Sequence, residues 1–474
     1  ESSEGSVWEA VQLAAHYKLD NAICFIDVNN LGQSTETMLD YNIKRYVDIG
    51  TAFGWQVFDV DGHNVANLLD VIDKAHAIVG KPVMIIAKTV KGYGVDSVAG
   101  KEGFHGKAFD AAQEKLALEQ LKNNFPEAAA YNDNSFDWKP NMPQVSGLAY
   151  GGANTIIEIP LCDYTKGEMV ATRKAYGTAL ALLGDVCDAV VSLDAEVKNS
   201  TYAEIFESVH PDRFFQCFVA EQNMVGMGIG FDRRGRIPFI STFSSFFSRA
   251  HDQIRMAAIS TSALRLVGSH CGVSIGQDGP SQMGLEDIAL FRCLPGSIVL
   301  YPCDAVSTHK LVEQMARYND GLSYLRTTRM ATPVLYDNDE QFPVGGCKVL
   351  KKSGNDVACI VGAGVTVHEA LKAYEILLKQ NLFVSVIDLY SVKPLDVATL
   401  IFVARASNNI VITVEDHYPQ GGIGQAVLDA LRNQNITIHS LAVNYLPRSG
   451  KPEELLAFEK IDAAAIVKTV LDIM

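Results

Sequence analysis

The chain has 474 residues, is 48% hydrophobic and 20% charged, and carries a formal net charge of −15. That balance is ordinary for a soluble protein with large cores, and the length suits about three domains. The acidic excess argues against a general nucleic-acid binder and against anionic membranes, and no apolar run reaches the roughly 18 residues of a membrane span. A phosphorylated substrate stays open, because a local cluster of Arg and His is enough to hold one. The nine cysteines are scattered with no CxxC pair, which fits reduced thiols in a cytoplasmic protein.

Helical signals begin at once. In "ESSEGSVWEA" Ser6 can cap, and Val7, Trp8, Val11, Ala14 and Ala15 make an apolar face. A start this abrupt, without a methionine, predicts further sequence upstream. "NAICFIDVNN", "GWQVFDVDG" and "KPVMIIAKTV" read as strands, with "NVANLLDVIDKAHAIV" as a helix between the last two. Residues 1–123 therefore alternate in the manner of a parallel sheet with crossover helices. Residues 124–165 are dense in Pro, Asn and Gly and read as a linker over a surface.

A second alternating block covers 166–335, with strands expected at "DAVVSLD", "FFQCFVA", "RIPFIST", "LRLVGSH", "GSIVLYP" and "LSYLRTT". A third covers 346–474, with "DVACIVGAG", "FVSVIDLY", "NIVITVED" and "ITIHSLAVN". The fold class is α/β, three successive domains with mostly parallel sheets. The lone GxG of "VGAGVTVHEA" is read as helix–strand packing, since the nucleotide fingerprint around it is absent.

Ligands of open α/β sheets bind beyond the carboxyl ends of strands. Asp27, Asn29, Asn30, His63, Lys91, Glu221, His270 and Arg329 all fall there. "DVNNLGQS" offers oxygen ligands for Mg2+, or is a polar strand-to-loop turn. Lys91, His105 and Lys107 lie among glycines and suit a phosphate, or form an exposed turn. Arg173 and Ser200 make a phosphate grip or a capping pair. Phe243 and Phe246 are three apart, as core residues or as a ring platform. His270, Asp278 and Gln282 share a Gly-rich loop too long and too polar for a simple turn. In "VAEQNMVGMG" a single carboxylate, Glu221, lies between an apolar strand and a small, greasy helix. Such a group is seldom buried without a partner.

Taken in order, "EGSVWEA", "DVNNLGQS", "FGWQVFDVDGH", "IIAKTVKGYG", "FHGK", "ATRKAYG", "KNST", "AEQNM", "STFSSFFSRAHDQIRMA", "GSHCGVSIGQDGPSQM", "VEDHYPQGGIG" and "PRSGKPEELL" resemble the transketolase family, animal type, from end to end. The resemblance implies thiamine diphosphate with Mg2+, or another divalent ion such as Ca2+, bound between the subunits of a homodimer. It implies a diphosphate domain, a pyrimidine domain and a C-terminal domain without direct catalytic part. The reaction implied is transfer of a two-carbon ketol unit from a ketose phosphate to an aldose phosphate in the pentose phosphate pathway.

Residue by residue, Glu221 matches the catalytic glutamate, whose protonated carboxyl meets N1′ of the aminopyrimidine and whose pKa burial should raise. Asn29 and Leu31 match metal ligands, the second through its carbonyl. Lys91, His105, Phe243, Phe246 and Gln282 match cofactor contacts. Arg173, Ser200, His270, Asp278 and Arg329 match the sugar-phosphate grip.

The departures carry their own expectations. Family chains read "GDGE" where this one opens with "E", so the metal-binding aspartate and the upstream histidines are expected to be missing, and the chain alone to bind cofactor weakly. Glu196 stands where the family has an aspartate, and Met330 where it has a proline. A non-catalytic partner subunit is the alternative function. A dehydrogenase E1 component or a deoxyxylulose phosphate synthase fits "FHGK" and "KNST" less well.

Overall fold

Three parallel strands organise the first part of the chain in the computed structural model, which describes residues 2–127 and 157–474. They are β1 (Ile23–Val28), β2 (Gln56–Asp61) and β3 (Val83–Lys88), in the order β1-β3-β2. The most apolar of the three, β3, is central, and Val83 to Ile86 are fully buried. A strand covered on both faces reads as a continuous apolar run rather than an alternation. The helix Val65–His76 begins where Asn64 accepts a hydrogen bond from the Asn67 amide at 3.1 Å. The first helix spans Gly5–His16, and its cap is Glu4 rather than the expected Ser6. Ser6 falls inside the first turn, and its amide donates to the Glu4 carboxylate at 3.5 Å.

The chain divides into two compact units, residues 1–146 and 147–474. The second unit holds β4 (Met169–Ala171), β5 (Val190–Asp194), β6 (Phe214–Gln216), β7 (Ile237–Phe243), β8 (Arg265–Ser269), β9 (Ile298–Leu300), β10 (Ser323–Arg326) and β11 (Ala331–Pro333). It continues with β12 (Lys348–Lys351), β13 (Cys359–Gly362), β14 (Ser385–Asp388), β15 (Ser391–Lys393), β16 (Ile410–Val414) and β17 (Thr437–Leu441).

Seven strands form one sheet in the order β15-β9-β10-β8-β7-β5-β6, parallel except for β15. Five form another, β12-β14-β13-β16-β17, parallel except for β12. β4 and β11 pair antiparallel. The mixed α/β fold with mostly parallel sheets is as the alternation implies. All nine cysteines are free thiols.

Two expectations change. The strand expected over 214–220 stops at Gln216, because Phe218 takes a left-handed φ of 54° and the Gln216 side chain accepts from the Phe218 amide. Phe218 and Val219 are consequently exposed. Most of the linker expected over 124–165 lies outside the described residues. Its last part runs along the surface but is docked on it, with Glu158, Pro160, Leu161, Asp163 and Thr165 exposed. Ile157, Ile159 and Cys162 are buried, and Arg317 donates to the Ile157 carbonyl at 2.8 Å.

The GxG at the end of β13 serves packing, as read. Gly364 has φ 56° and caps the helix Val365–Leu378, and a Cβ there would enter the Tyr301 ring. Gly364→Ala is expected to cost about 3 kcal/mol, from backbone strain and overpacking together. The midpoint of denaturant unfolding checks this.

A buried ionic network joins the two larger sheets of the second unit. Arg326, wholly inaccessible, reaches Asp287 at 2.9 Å and Asp416 at 2.7 Å. His417 lies beside it, its Nε2 4.0 Å from Asp287. Burial pulls the His417 imidazole down to about 4, with Arg326 adding to the effect and Asp287 and the Tyr418 and Glu286 carbonyls opposing it. Between pH 6.5 and about 4 the unfolded chain binds a proton that the folded chain refuses. Stability is therefore expected to fall as pH drops through that window. Thermal unfolding of His417→Gln across it should show a shallower slope than the parent.

Candidate active site

Two groups of candidate residues form, one in each unit. In the first, the carboxyl ends of β1 and β3 carry "DVNNLG" and the loop after "AKTV" to one place. The Asn29 side-chain oxygen accepts from the Leu31 amide at 3.0 Å, and Asn30 has a left-handed φ of 63°. Tyr41 pins both strand ends, donating to the Asn29 and Thr89 carbonyls. Asp27 is held by the Thr89 hydroxyl.

Lys91 Nζ lies 2.9 Å from His105 Nδ1 and 3.4 Å from the Gly32 carbonyl. Asn29, Leu31, Lys91 and His105 thus line one cavity of about 610 Å³. Lys107 lines a smaller neighbouring pocket with Lys91 and His105. His63 is tied to the loop after β3. Its Nε2 accepts from the Val90 amide at 2.7 Å, and its ring stacks on Tyr93.

In the second unit Glu221 opens the helix Glu221–Arg233 and is 5% exposed. Placing a carboxylate in a helix's first turn suits the dipole. The helix packs through Met224, Val225 and Gly228, with no room for a Cβ at Gly228 against Ile240. Arg249 answers the charge, its Nε 3.4 Å from Glu221 Oε2.

The two phenylalanines are not on one helix. Phe243 ends β7 and Phe246 follows in a 3₁₀ turn, and their rings stack with centroids 5.0 Å apart. Gln282 sits against that turn, its carbonyl accepting from the Ser245 hydroxyl.

Phe243 also stacks on His270 at 3.8 Å. This ring contact ties the phenylalanine pair to the other candidates of the second unit. His270, 2% exposed with φ 60°, has Nε2 3.8 Å from Asp278. Arg329 donates to Asp278 at 2.9 Å and to the Ile275 carbonyl at 3.2 Å. Arg173 donates to the Ser200 carbonyl at 2.9 Å and lies over the Tyr202 ring. Arg173 Nε is buried and has no hydrogen-bond partner. Burial lowers the His270 pKa to about 3, and Arg173 and Arg329 push it the same way. The imidazole is therefore neutral at ordinary pH, a donor or acceptor in a cationic corner.

Five of the sequence candidates thus meet from parts far apart in the chain, Arg173 and Ser200 from helices and His270, Asp278 and Arg329 from loops. Arg249 and Tyr202 join these residues without having stood out in the sequence. Arg249 sits within the quoted "SSFFSRAHDQ", but only the fold brings it to Glu221. Tyr202 directly follows "KNST", and its left-handed φ of 63° is unusual for a residue other than glycine.

Fold and site together describe an α/β protein of the thiamine-diphosphate-binding class. Residues 2–133 match the family "Transketolase, thiamine diphosphate binding domain", 168–334 the "Transketolase, pyrimidine binding domain" and 345–466 the "Transketolase, C-terminal domain". Human transketolase is 46% identical over 473 residues, covering 99% of this chain and 74% of that protein. Mouse transketolase-like protein 2 is 46% identical over 475 residues, covering 100% of this chain and 74% of that one.

Among solved structures, the Campylobacter jejuni transketolase aligns with 99% of this chain and 75% of its own, at TM-score 0.76 and 21% identity. A split-gene transketolase, described as an inactive β4 tetramer, covers 64% of this chain and 98% of its own at TM-score 0.58 and 34% identity. The chain belongs to the transketolase family. Its fold and family support a thiamine-diphosphate-dependent transferase function of the transketolase type.

Proposed function

We propose that this protein transfers a two-carbon ketol unit from a ketose phosphate, such as xylulose 5-phosphate, to an aldose phosphate, such as ribose 5-phosphate. The setting proposed is the pentose phosphate pathway of the cytoplasm. The active form is a homodimer with its sites at the subunit interface. Residues 1–123, 166–335 and 346–474 serve as the diphosphate, pyrimidine and C-terminal domains. The observation that carries this reading is the cationic corner of Arg173, Arg329 and neutral His270, one stacked ring away from the phenylalanine pair.

The residues present fit the cofactor. A carboxylate on a buried helix start and a pair of stacked rings suit an aminopyrimidine. An amide, a carbonyl and two basic side chains around one cavity suit a diphosphate with its ion. No group of three His, Cys, Asp or Glu side chains among the described residues is placed to hold a metal. A divalent ion, Mg2+ or Ca2+, would be held by the Asn29 side-chain oxygen and the Leu31 carbonyl, with phosphate and water supplying further oxygens.

When bound, thiamine diphosphate supplies the carbon nucleophile and the electron sink for breaking the C–C bond. The chain supplies orientation. Glu221 shares a proton with the pyrimidine ring nitrogen. Phe243 and Phe246 hold the ring, and Lys91, His105 and Gln282 hold the remaining polar atoms. Arg173 and Arg329 bind the sugar phosphate through paired N–H donors. Ser200 and Asp278 fix those guanidinium groups. His270 meets a sugar hydroxyl in its neutral form.

A coupled ketol-transfer assay on the purified protein with xylulose 5-phosphate and ribose 5-phosphate tests the reading. Calorimetric titration with thiamine diphosphate, with and without Mg2+, accompanies it. Tight cofactor binding without transfer between any sugar phosphates would overturn it.

A further inference from the structure

The Gly-rich loop that carries His270, Asp278 and Gln282 belongs to the second block in sequence. By packing it belongs equally to the third. Val273, Ile275, Met283 and Leu285 are buried in one cluster with Ile360, Val386, Ile412, Leu455 and Ile466 of the third block. The loop's glycines touch that block closely. A Cβ on Gly272 would enter the Asp416 carboxylate. One on Gly279 would lie 2.7 Å from Ser449 Oγ, and one on Gly276 3.1 Å from the Gly450 carbonyl. The loop is thus pressed onto the third block with its apolar side chains inside and Asp278 on the other side, half-buried against Arg329.

A chain of buried hydrogen bonds fixes this register. Tyr301 donates to Asp416 at 2.9 Å, and Arg326 donates to the same carboxylate at 2.7 Å. Arg326 also donates to the Gly284 carbonyl at 2.7 Å, which accepts in turn from the Gly272 amide at 2.8 Å. The Gly284 amide donates to the His270 carbonyl at 3.1 Å. Asp416 is therefore three hydrogen bonds from the His270 carbonyl, by way of Arg326 and the Gly284 backbone. The charged and phenolic side chains of this network, Tyr301, Arg326 and Asp416 with Asp287 on the other side of Arg326, are fully buried. Removing one partner from such a set leaves the others uncompensated.

We propose that Asp416 of the C-terminal block is a positioning residue for the anion-binding corner, acting through Arg326 and Gly284 on the loop Cys271–Gly284. The C-terminal block thereby sets affinity for the phosphate end of the substrate, although it supplies none of the grip residues. This rests on the reading of Arg173, Arg329, His270 and Asp278 as a phosphate grip.

The test compares Asp416→Asn and the milder Tyr301→Phe with Leu400→Ala, a buried change in the third block remote from the loop. Two readouts are taken on the full chain. They are the dissociation constant for inorganic phosphate, by calorimetric titration, and amide exchange of residues 272–284, by mass spectrometry. Asp416→Asn is expected to weaken phosphate binding about tenfold and Tyr301→Phe by less, both with faster exchange in 272–284. Leu400→Ala is expected to lower the melting temperature while leaving both readouts alone.

If the Asp416 variant melts earlier yet keeps parental phosphate affinity and loop exchange, the positioning role is overturned. If the parent binds phosphate no better than Arg329→Ala does, the phosphate reading falls instead. Loop exchange then decides the positioning role by itself, local deprotection in Asp416→Asn supporting it and unchanged exchange overturning it.

Discussion

Glu221→Gln is expected to cut ketol transfer by about 10²- to 10⁴-fold, the range typical of a positioned proton-transfer group. The fold should survive, because the amide is isosteric and can keep a hydrogen bond to Arg249, which already shares the site at 3.4 Å. On the proposed role, what should be lost is the proton that the carboxyl would share with the pyrimidine nitrogen. Exchange of the cofactor's thiazolium C2 proton, followed by NMR after acid quench, isolates that step from sugar binding. Near-parental exchange in Glu221→Gln would remove Glu221 from its proposed role, whatever the overall rate.

Arg329→Ala is expected to act on binding rather than on the proton. Its guanidinium makes a charge-assisted contact with Asp278 and faces the corner shared with Arg173. Loss of one such contact to a phosphate is worth about 2–3 kcal/mol, roughly 30- to 150-fold in KM for phosphorylated donors. An unphosphorylated ketose should lose far less. The variant should also shift His270. Burial is the leading cause of its lowered pKa, and Arg329 is one of two cations adding to it. Removing Arg329 therefore moves the imidazole upward, with burial keeping it below 6.5. A pH titration of the His270 ring proton by NMR reads this directly. An equal KM rise for phosphorylated and unphosphorylated sugars would show that Arg329 does not hold phosphate.

Much of the fold was legible because its elements are locally encoded. The strand "KPVMIIAKTV" reads as a buried central strand from its unbroken apolar run, and β3 is one. The helix from Asn64 announces itself by its capping side chain. The strand that ended early, "FFQCFVA", failed for a local reason that composition hides. Its aromatic residues favour a strand, but Phe218 turns left-handed at the sheet's edge.

The site was legible as residue types in motifs, and hardly at all as geometry. Arg173, in the first turn of a helix, and His270 and Arg329, in loops, each look ordinary until the fold brings two guanidinium groups and a neutral imidazole together. The pairing of Arg249 with Glu221, 28 positions apart, is a tertiary fact with no periodic trace. The same holds for Asp416, whose partner Arg326 lies 90 residues upstream.

The strand β15 has a consequence for where a gene encoding this fold tolerates division. It leaves the five-stranded sheet's side of the chain and adds antiparallel to β9, at the edge of the seven-stranded sheet. A cut between the second and third blocks, near residue 340, strips that strand from its sheet. It uncovers the unpaired edge of β9, an invitation to aggregation, and separates Arg326 from Asp416. The two C-terminal blocks are therefore one heritable module. Shuffling, circular permutation or expression of pieces should respect that boundary, although sequence motifs alone would draw a line through it.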